Sequence, residues 1–145
     1  MASVQNEYSL LCRLYDTDMA EMSVNEDVTL LSFSPLACGL LTGKYQNGAV
    51  PEGSRMSIGG NLGGRVTDRV WPAVQAYLDL AAKHDLDPVH MAMAWQRTRP
   101  FAVSAIFGAT TSEQLTQILG GKDVVLSDEV IAEIDAVHKQ HPMPY

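Results

Sequence analysis

Apolar positions along the chain fall into two kinds of run, and these predict two kinds of element. Residues 3–11, "SVQNEYSLL", mix polar and apolar side chains at short range and predict a strand. Residues 28–36, "VTLLSFSPL", are nearly continuously apolar, rich in β-formers at the start and ended by Pro35. Residues 101–109, "FAVSAIFGA", repeat that character and end at Gly108. Runs of this kind suit strands buried on both faces, as in a parallel sheet.

The remaining segments carry helical spacing. "DTDMAEMSVNEDV", residues 16–28, sets Met19, Met22 and Val24 among acids and predicts a short helix. Residues 67–85 place Val70, Val74, Tyr77, Leu78 and Ala81 on one helical face, with Thr67 as the N-cap. Asp87 followed by Pro88 is a helix start, a capping acid before a proline at the first helical position. That helix runs towards Pro100. A Thr/Ser cap opens another at "TTSEQLTQIL". In the last one Ser127 is the cap, Asp128 and Glu129 favour the positive end of the helix dipole, and Val130, Ile131, Ile134 and Val137 form its apolar stripe. Residues 42–66, rich in glycine, read as a long connection, and loops of that length are usually functional or mobile.

The resulting order, β-α-β-loop-α-α-β-α-α, predicts an α/β fold with a parallel sheet in a single domain over 1–145. Three strands make a small sheet with two apolar edges, which proteins normally avoid, so the edges are expected to be completed by self-association. The composition is that of a globular chain, 46% hydrophobic and 19% charged. The net charge of -7 argues against nucleic acid or an anionic membrane as partner. Cys12 and Cys38 form no CxxC pair or zinc spacing and read as reduced thiols. Residues 1–10 lack the pattern of a signal peptide, and no apolar run reaches the length of a membrane span, so a cytoplasmic location is expected. Trp71 and Trp95 read as packing residues. His84, His90, His138 and His141 show no ligand spacing, and no metal site is expected.

The stretch "FSPLACGLLTGKY", residues 33–45, puts a lysine directly after a glycine-dotted apolar run. Together with "VQNEYSLL", "PEGSR" and "IFGATTSEQL", it resembles the aldo-keto reductases, most closely the bacterial branch that also resembles potassium-channel β subunits. The resemblance covers essentially the whole chain. It implies the last three strand-helix units, strands 6–8, of a (β/α)8 TIM barrel, a fold that typically takes about 250 residues. "MAS" ahead of a strand in mid-barrel position implies a newly placed start at Met1.

In that family this end of the barrel holds NADP(H), and the resemblance implies a role for each matching residue. Gln5 would bond the nicotinamide carboxamide, and Phe33 would stack on the nicotinamide ring. Ser34, Pro35 and Leu36 would form the turn along the pyrophosphate, continued by Gly39 and Leu41. Lys44 and Arg55 would meet phosphate charge. Gly108, Ala109 and Thr110 would receive a phosphate at a helix start, and Gln114 would sit at the adenosine end. Ile118 stands where the family usually has an asparagine touching the adenine. Taken singly, each residue has an ordinary reading: Gln5 as a strand-end polar group, Phe33 as core, Lys44 as a solvated charge, Gly108 as a strand terminator. Only their ordered combination points to a cofactor.

Carbonyl reduction by NADPH also needs a proton donor, which the family supplies from a tyrosine supported by lysine, aspartate and often histidine. Those residues belong to earlier strands without counterpart here, so no catalytic residue is named. Tyr45 lies in the cofactor loop, and Tyr8 is a buried-strand candidate. The resemblance therefore implies an NADPH-dependent oxidoreductase present as its cofactor-binding portion, inactive in isolation. The alternative is a catalytically silent NADP(H)-binding or oligomeric interaction module, or a truncated remnant.

Overall fold

The computed structural model describes residues 2–145, so the start at Met1 lies outside them. Three parallel strands form one sheet in chain order: β1 (Ser3–Glu7), β2 (Thr29–Phe33) and β3 (Val103–Ile106). Between and after them run α1 (Asp18–Asn25), α2 (Arg55–Gly59), α3 (Val70–Lys83), α4 (Pro88–Gln96), α5 (Ser112–Gly120) and α6 (Asp128–Gln140). The predicted order holds, with α2 and short 3-10 turns giving structure to the 42–66 connection.

The two-sided burial expected of β2 and β3 is not what the fold provides. Burial alternates along both strands because helices cover one sheet face only. Val4, Leu30 and Val103 share a register position on the covered face, with Asn6, Ser32 and Ala105 two positions on. Leu30 and Ser32 are fully buried there. Ser32 donates its hydroxyl hydrogen to Gln96 Oε1 at 2.5 Å, and Gln96 Nε2 donates to the carbonyl of Tyr8 at 3.1 Å, so these buried polar groups satisfy one another. The opposite face, with Gln5, Leu31 and Ser104 in one row and Glu7, Phe33 and Ile106 in the next, is left open.

β1 is also shorter than expected. The ladder extends to Tyr8, whose N–H bonds the Phe33 carbonyl at 3.2 Å. Ser9 then takes over: its hydroxyl accepts from the N–H groups of Leu11 and Cys12, both at 3.2 Å. A serine side chain offering the backbone an alternative partner turns the chain out of the strand. Residues 8–12 are buried, but as a turn.

Three of the expected caps form: Asp87 accepts from Val89 and His90 N–H, Thr111 from Gln114 N–H and Ser127 from Val130 N–H. The N-cap of α3 is Arg69, without a side-chain bond, and Thr67, expected there, accepts from Val70 N–H across the turn that leads into the helix. The α3 stripe is Val70, Ala73, Val74, Tyr77, Leu80 and Ala81, with Leu78 only half-buried beside it. The core under the covered face is built on aromatic side chains. Tyr8 stacks on Trp95 at 5.0 Å, with Tyr15 and Phe101 around them. Among the described residues no helix is long and apolar enough to cross a membrane.

Candidate functional site

A cleft of about 670 Å³ opens at the carboxyl end of the sheet. One wall is the turn leaving β2, and the other is the start of α5. The β2 turn is bent by a cluster of unusual backbone conformations: Ser34 has φ of 53°, and Ala37, Cys38 and Gly39 in succession have φ of 48°, 58° and 92°. Left-handed non-glycine residues are costly, and surrounding structure must hold them. Here the bonds from Ala37 N–H to the Ser34 carbonyl (2.8 Å) and from Gly39 N–H to the Leu36 carbonyl (2.9 Å) do so, and Thr42 Oγ1 donates to the Gly39 carbonyl at 2.8 Å. Gly39 also lets the lysine pass close by. A Cβ there would stand 3.0 Å from Lys44 Cε and 3.2 Å from Nζ. The lysine stem crosses the bare glycine, and its ammonium lies over the Tyr45 ring, 5.1 Å from the centroid.

Arg55 enters the same wall from the first turn of α2, which Ser54 caps by accepting from Ser57 N–H at 3.3 Å. The segment between Gly43 and Val66 that carries Arg55 is tied at its start by Gln46 Nε2, which donates to Gln75 Oε1 at 2.9 Å, and towards its end by Leu62, buried in the core, and it has two further hydrogen-bonded anchors. Met56 N–H donates to the Tyr45 hydroxyl at 3.3 Å. Further on, Arg65 makes a two-pronged pair with Glu7 at 2.9 and 2.7 Å and donates to the Leu62 carbonyl. Tyr145 donates to the same Glu7 carboxylate at 3.1 Å, and burial followed by that carboxylate raises the Tyr145 phenol above its ordinary range. Burial opposes the charge on Arg65, but the bonds to Glu7 outweigh it, and its pKa is raised. Among the described residues, neither Lys44 nor Arg55 has an acidic side chain within 4.0 Å.

The facing wall is the β3–α5 turn. A Cβ added to Gly108 would meet nothing within 4 Å, so this stretch of backbone is bare to the cleft. Gln114 Oε1 accepts from Thr110 N–H at 3.0 Å and from the Thr110 hydroxyl at 3.2 Å. α5 is held against α4 by Gln117 Nε2 donating to Asp87 at 2.9 Å and by His90 Nε2 at 2.6 Å from the Gln117 carbonyl. At Gly121, just past the helix, a Cβ would stand 2.7 Å from the His90 ring.

Of the residues singled out from the sequence, Ser34, Pro35, Leu36, Gly39, Lys44, Arg55, Gly108, Ala109, Thr110 and Gln114 line this one cleft. Three do not. Leu41 is buried in the core behind the β2 turn. Gln5 and Phe33 stand on the open sheet face, beside the cleft rather than in it. That face is continuous with the cleft through Ile106, the register partner of Phe33, which lines it. Sequence reasoning missed Cys38, Thr42, Ser54, Ile58, Val89, Phe107 and Gln117 as lining residues. Cys38 and Thr42 sit inside the quoted glycine-dotted stretch and Ser54 inside "PEGSR", so position within those motifs was the available signal. Val89, forty-five positions past Lys44, offered none.

The family model described as "Aldo/keto reductase family" matches residues 1–139. The chain belongs to the aldo/keto reductase family. Among relatives of this aldo/keto reductase chain, Protein tas of Escherichia coli (strain K12) is 42% identical over 144 residues, covering 99% of the chain and 42% of that protein. A probable voltage-gated potassium channel subunit beta of Arabidopsis thaliana is 32% identical over 144 residues, covering 95% of the chain and 44% of that protein. An L-glyceraldehyde 3-phosphate reductase of Escherichia coli O157:H7 is 32% identical over 138 residues, covering 90% and 40%. Among solved structures, the glycerol dehydrogenase AKR11B4 from Gluconobacter oxydans superposes with a TM-score of 0.76 at 22% identity, over 99% of the chain and 44% of that structure. The fold is thus an aldo/keto reductase α/β fold. The chain spans about two fifths of the length of these relatives.

Proposed function

We propose that this chain is the NADP(H)-binding part of an aldo/keto reductase-type oxidoreductase, corresponding to strands 6–8 of the barrel over residues 1–145. One observation carries the reading. In a chain of net charge -7, two cations without acidic partners, Lys44 and Arg55, line a cleft opposite the bare backbone of Gly108 and the hydroxyl of Thr110. Unpaired Lys and Arg beside free backbone suit phosphate oxygens, and two phosphate-bearing regions of one dinucleotide suit two separated cations. Lys44, Arg55 and the Gly108–Ala109–Thr110 turn would hold the phosphates. Phe33 and Gln5, on the adjoining sheet face, would orient the nicotinamide ring and its carboxamide. Gln114 would exchange its internal bond to Thr110 for one to the ligand.

When bound, the cofactor supplies hydride. The proton for the developing alkoxide needs a separate donor, and the cleft's own side chains do not provide one. Tyr45 is 1% exposed and does not line the cleft, and Tyr8 lies in the core, donating to Asp16. Turnover therefore requires groups from outside residues 1–145, and by themselves these residues bind without reducing. A second reading, an interaction module that binds through the sheet, is favoured by the open face carrying Leu31, Phe33 and Ile106 between two unpaired strand edges, which a second copy or a complementing chain would cover. The two free cysteines fit a reducing, cytoplasmic setting.

The test is a titration of NADPH followed by its fluorescence, repeated with NADH and with Lys44→Ala. Saturable binding of NADPH that is weakened by Lys44→Ala and by added salt is expected. Absence of saturation at millimolar NADPH, or indifference to Lys44→Ala, rejects the reading. Sedimentation equilibrium with and without NADPH separates the interaction module, which self-associates irrespective of ligand, from a monomeric binder.

A further inference from the structure

One side chain touches the machinery of both cleft cations. The Tyr45 ring lies beneath the Lys44 ammonium, and the Tyr45 hydroxyl accepts from the backbone N–H of Met56, the residue after Arg55. Tyr45 is 1% exposed, so its ring cannot swing away without opening the core. As packing alone this residue needs only a ring. The hydroxyl adds nothing to apolar burial, and its bond reaches eleven positions along the chain to the turn that carries Arg55. Met56 also packs against the core and Leu62 is buried in it, but apart from the local Ser54–Ser57 bonds the next side-chain hydrogen bond from that segment to another element is Arg65 on Glu7, ten positions beyond Arg55.

We infer that Tyr45 is a positioning residue that fixes the separation of Lys44 and Arg55, the ring setting the lysine and the hydroxyl setting the arginine. Its consequence for ligand choice rests on the NADP(H) reading. A cleft with two cations at fixed spacing discriminates in favour of a ligand with two separated anionic groups, NADPH over NADH, and loses that preference when one cation is released. The geometry itself holds without any ligand.

The experiment therefore has two arms. In the ligand-free protein, Tyr45→Phe is expected to speed amide exchange at Met56 roughly three- to tenfold, the loss of one hydrogen bond, while the ring-shifted Lys44 Cε protons keep their resonance positions. Tyr45→Leu, checked for folding by circular dichroism, is expected to lose both signatures. Unchanged exchange at Met56 in Tyr45→Phe overturns the inference. In the second arm, Tyr45→Phe is expected to weaken NADPH more than NADH, and to have no further effect in an Arg55→Ala background, because it acts through Arg55. An equal loss in both backgrounds overturns it. If the unsubstituted chain fails to bind NADPH, the cofactor reading falls and the exchange arm alone decides the role of Tyr45.

Discussion

Two pairs of cations in this molecule sit in opposite circumstances. Arg13 and Arg99 flank the Trp95 ring, 5.0 and 5.3 Å from its centroid, and both are answered by acids. Arg13 reaches Asp16 and Asp135 at 2.7 Å each, and Arg99 reaches Asp16 at 3.2 Å. Lys44 and Arg55 also sit by structure that holds them, yet among the described residues no carboxylate answers either within 4.0 Å. The first pair is neutralised inside the fold and serves to close it. The second leaves positive charge facing an open cleft, which an anion from outside can neutralise. The difference between a structural cation and a binding one lies here in the partner, not in the residue type.

The sharpest way to break the comparison is at Trp95, the ring that both arginines and Tyr8 share. Trp95→Ala removes a fully buried side chain and should cost about 3–5 kcal/mol of stability. A urea titration reads this directly, and a loss below about 1 kcal/mol would mean that the cluster does not organise the core. The mirror-image experiment targets the other pair. Lys44→Met and Arg55→Met should each leave the unfolding free energy of the ligand-free protein within about 0.5 kcal/mol. Each should weaken NADPH by roughly 10- to 100-fold, the worth of a hydrogen bond to a charged group. Stability lost on removing Lys44 or Arg55 would place them with the structural cations instead. Arg13→Met comes next. It leaves Asp16 short of a partner at a side-chain exposure of 16% and should cost about 1–3 kcal/mol, without changing NADPH affinity in the protein that remains folded.

These two regions were legible in the sequence to different degrees. The cleft was largely legible, because most of its residues lie in three short stretches whose order is distinctive: the turn after Phe33, the "PEGSR" segment and the turn after Phe107. Backbone conformation at Gly39 and Gly108 is a local matter, and local matters leave local traces. The arginine cluster was invisible. Arg13 and Asp135 are 122 positions apart, and nothing in a charge pattern ties one to the other. The open sheet face was missed for a related reason. A continuous apolar run such as "VTLLSF" shows that both faces of β2 can be covered, but not that the other layer is supplied by residues 1–145. Tyr45 was set aside because its motif explained its location, whereas its two contacts exist only once the 42–66 segment folds back on itself.

The smallest expected effect lies where the structural cluster meets titration. His138 is half-buried near Arg13, and its Nδ1 has no hydrogen-bond partner. Burial, then the positive charge of Arg13, lower its pKa below the ordinary 6.5, while Asp16 and Asp135 pull the other way without prevailing and Arg99 adds a further lowering. The unfolded chain therefore takes up a proton at a higher pH than the folded one. Stability from this group is complete above about pH 6.5 and falls as the pH drops below it, until the folded imidazole is protonated as well. Comparing urea midpoints at about pH 7.5 and 5.5 should show a fall in the unsubstituted protein that is smaller in His138→Gln. Equal falls in the two proteins would remove His138 from the account of the cluster. A fall in NADPH affinity that tracks His138 would show that the two cationic regions are not separate, since His138 is absent from the cleft lining.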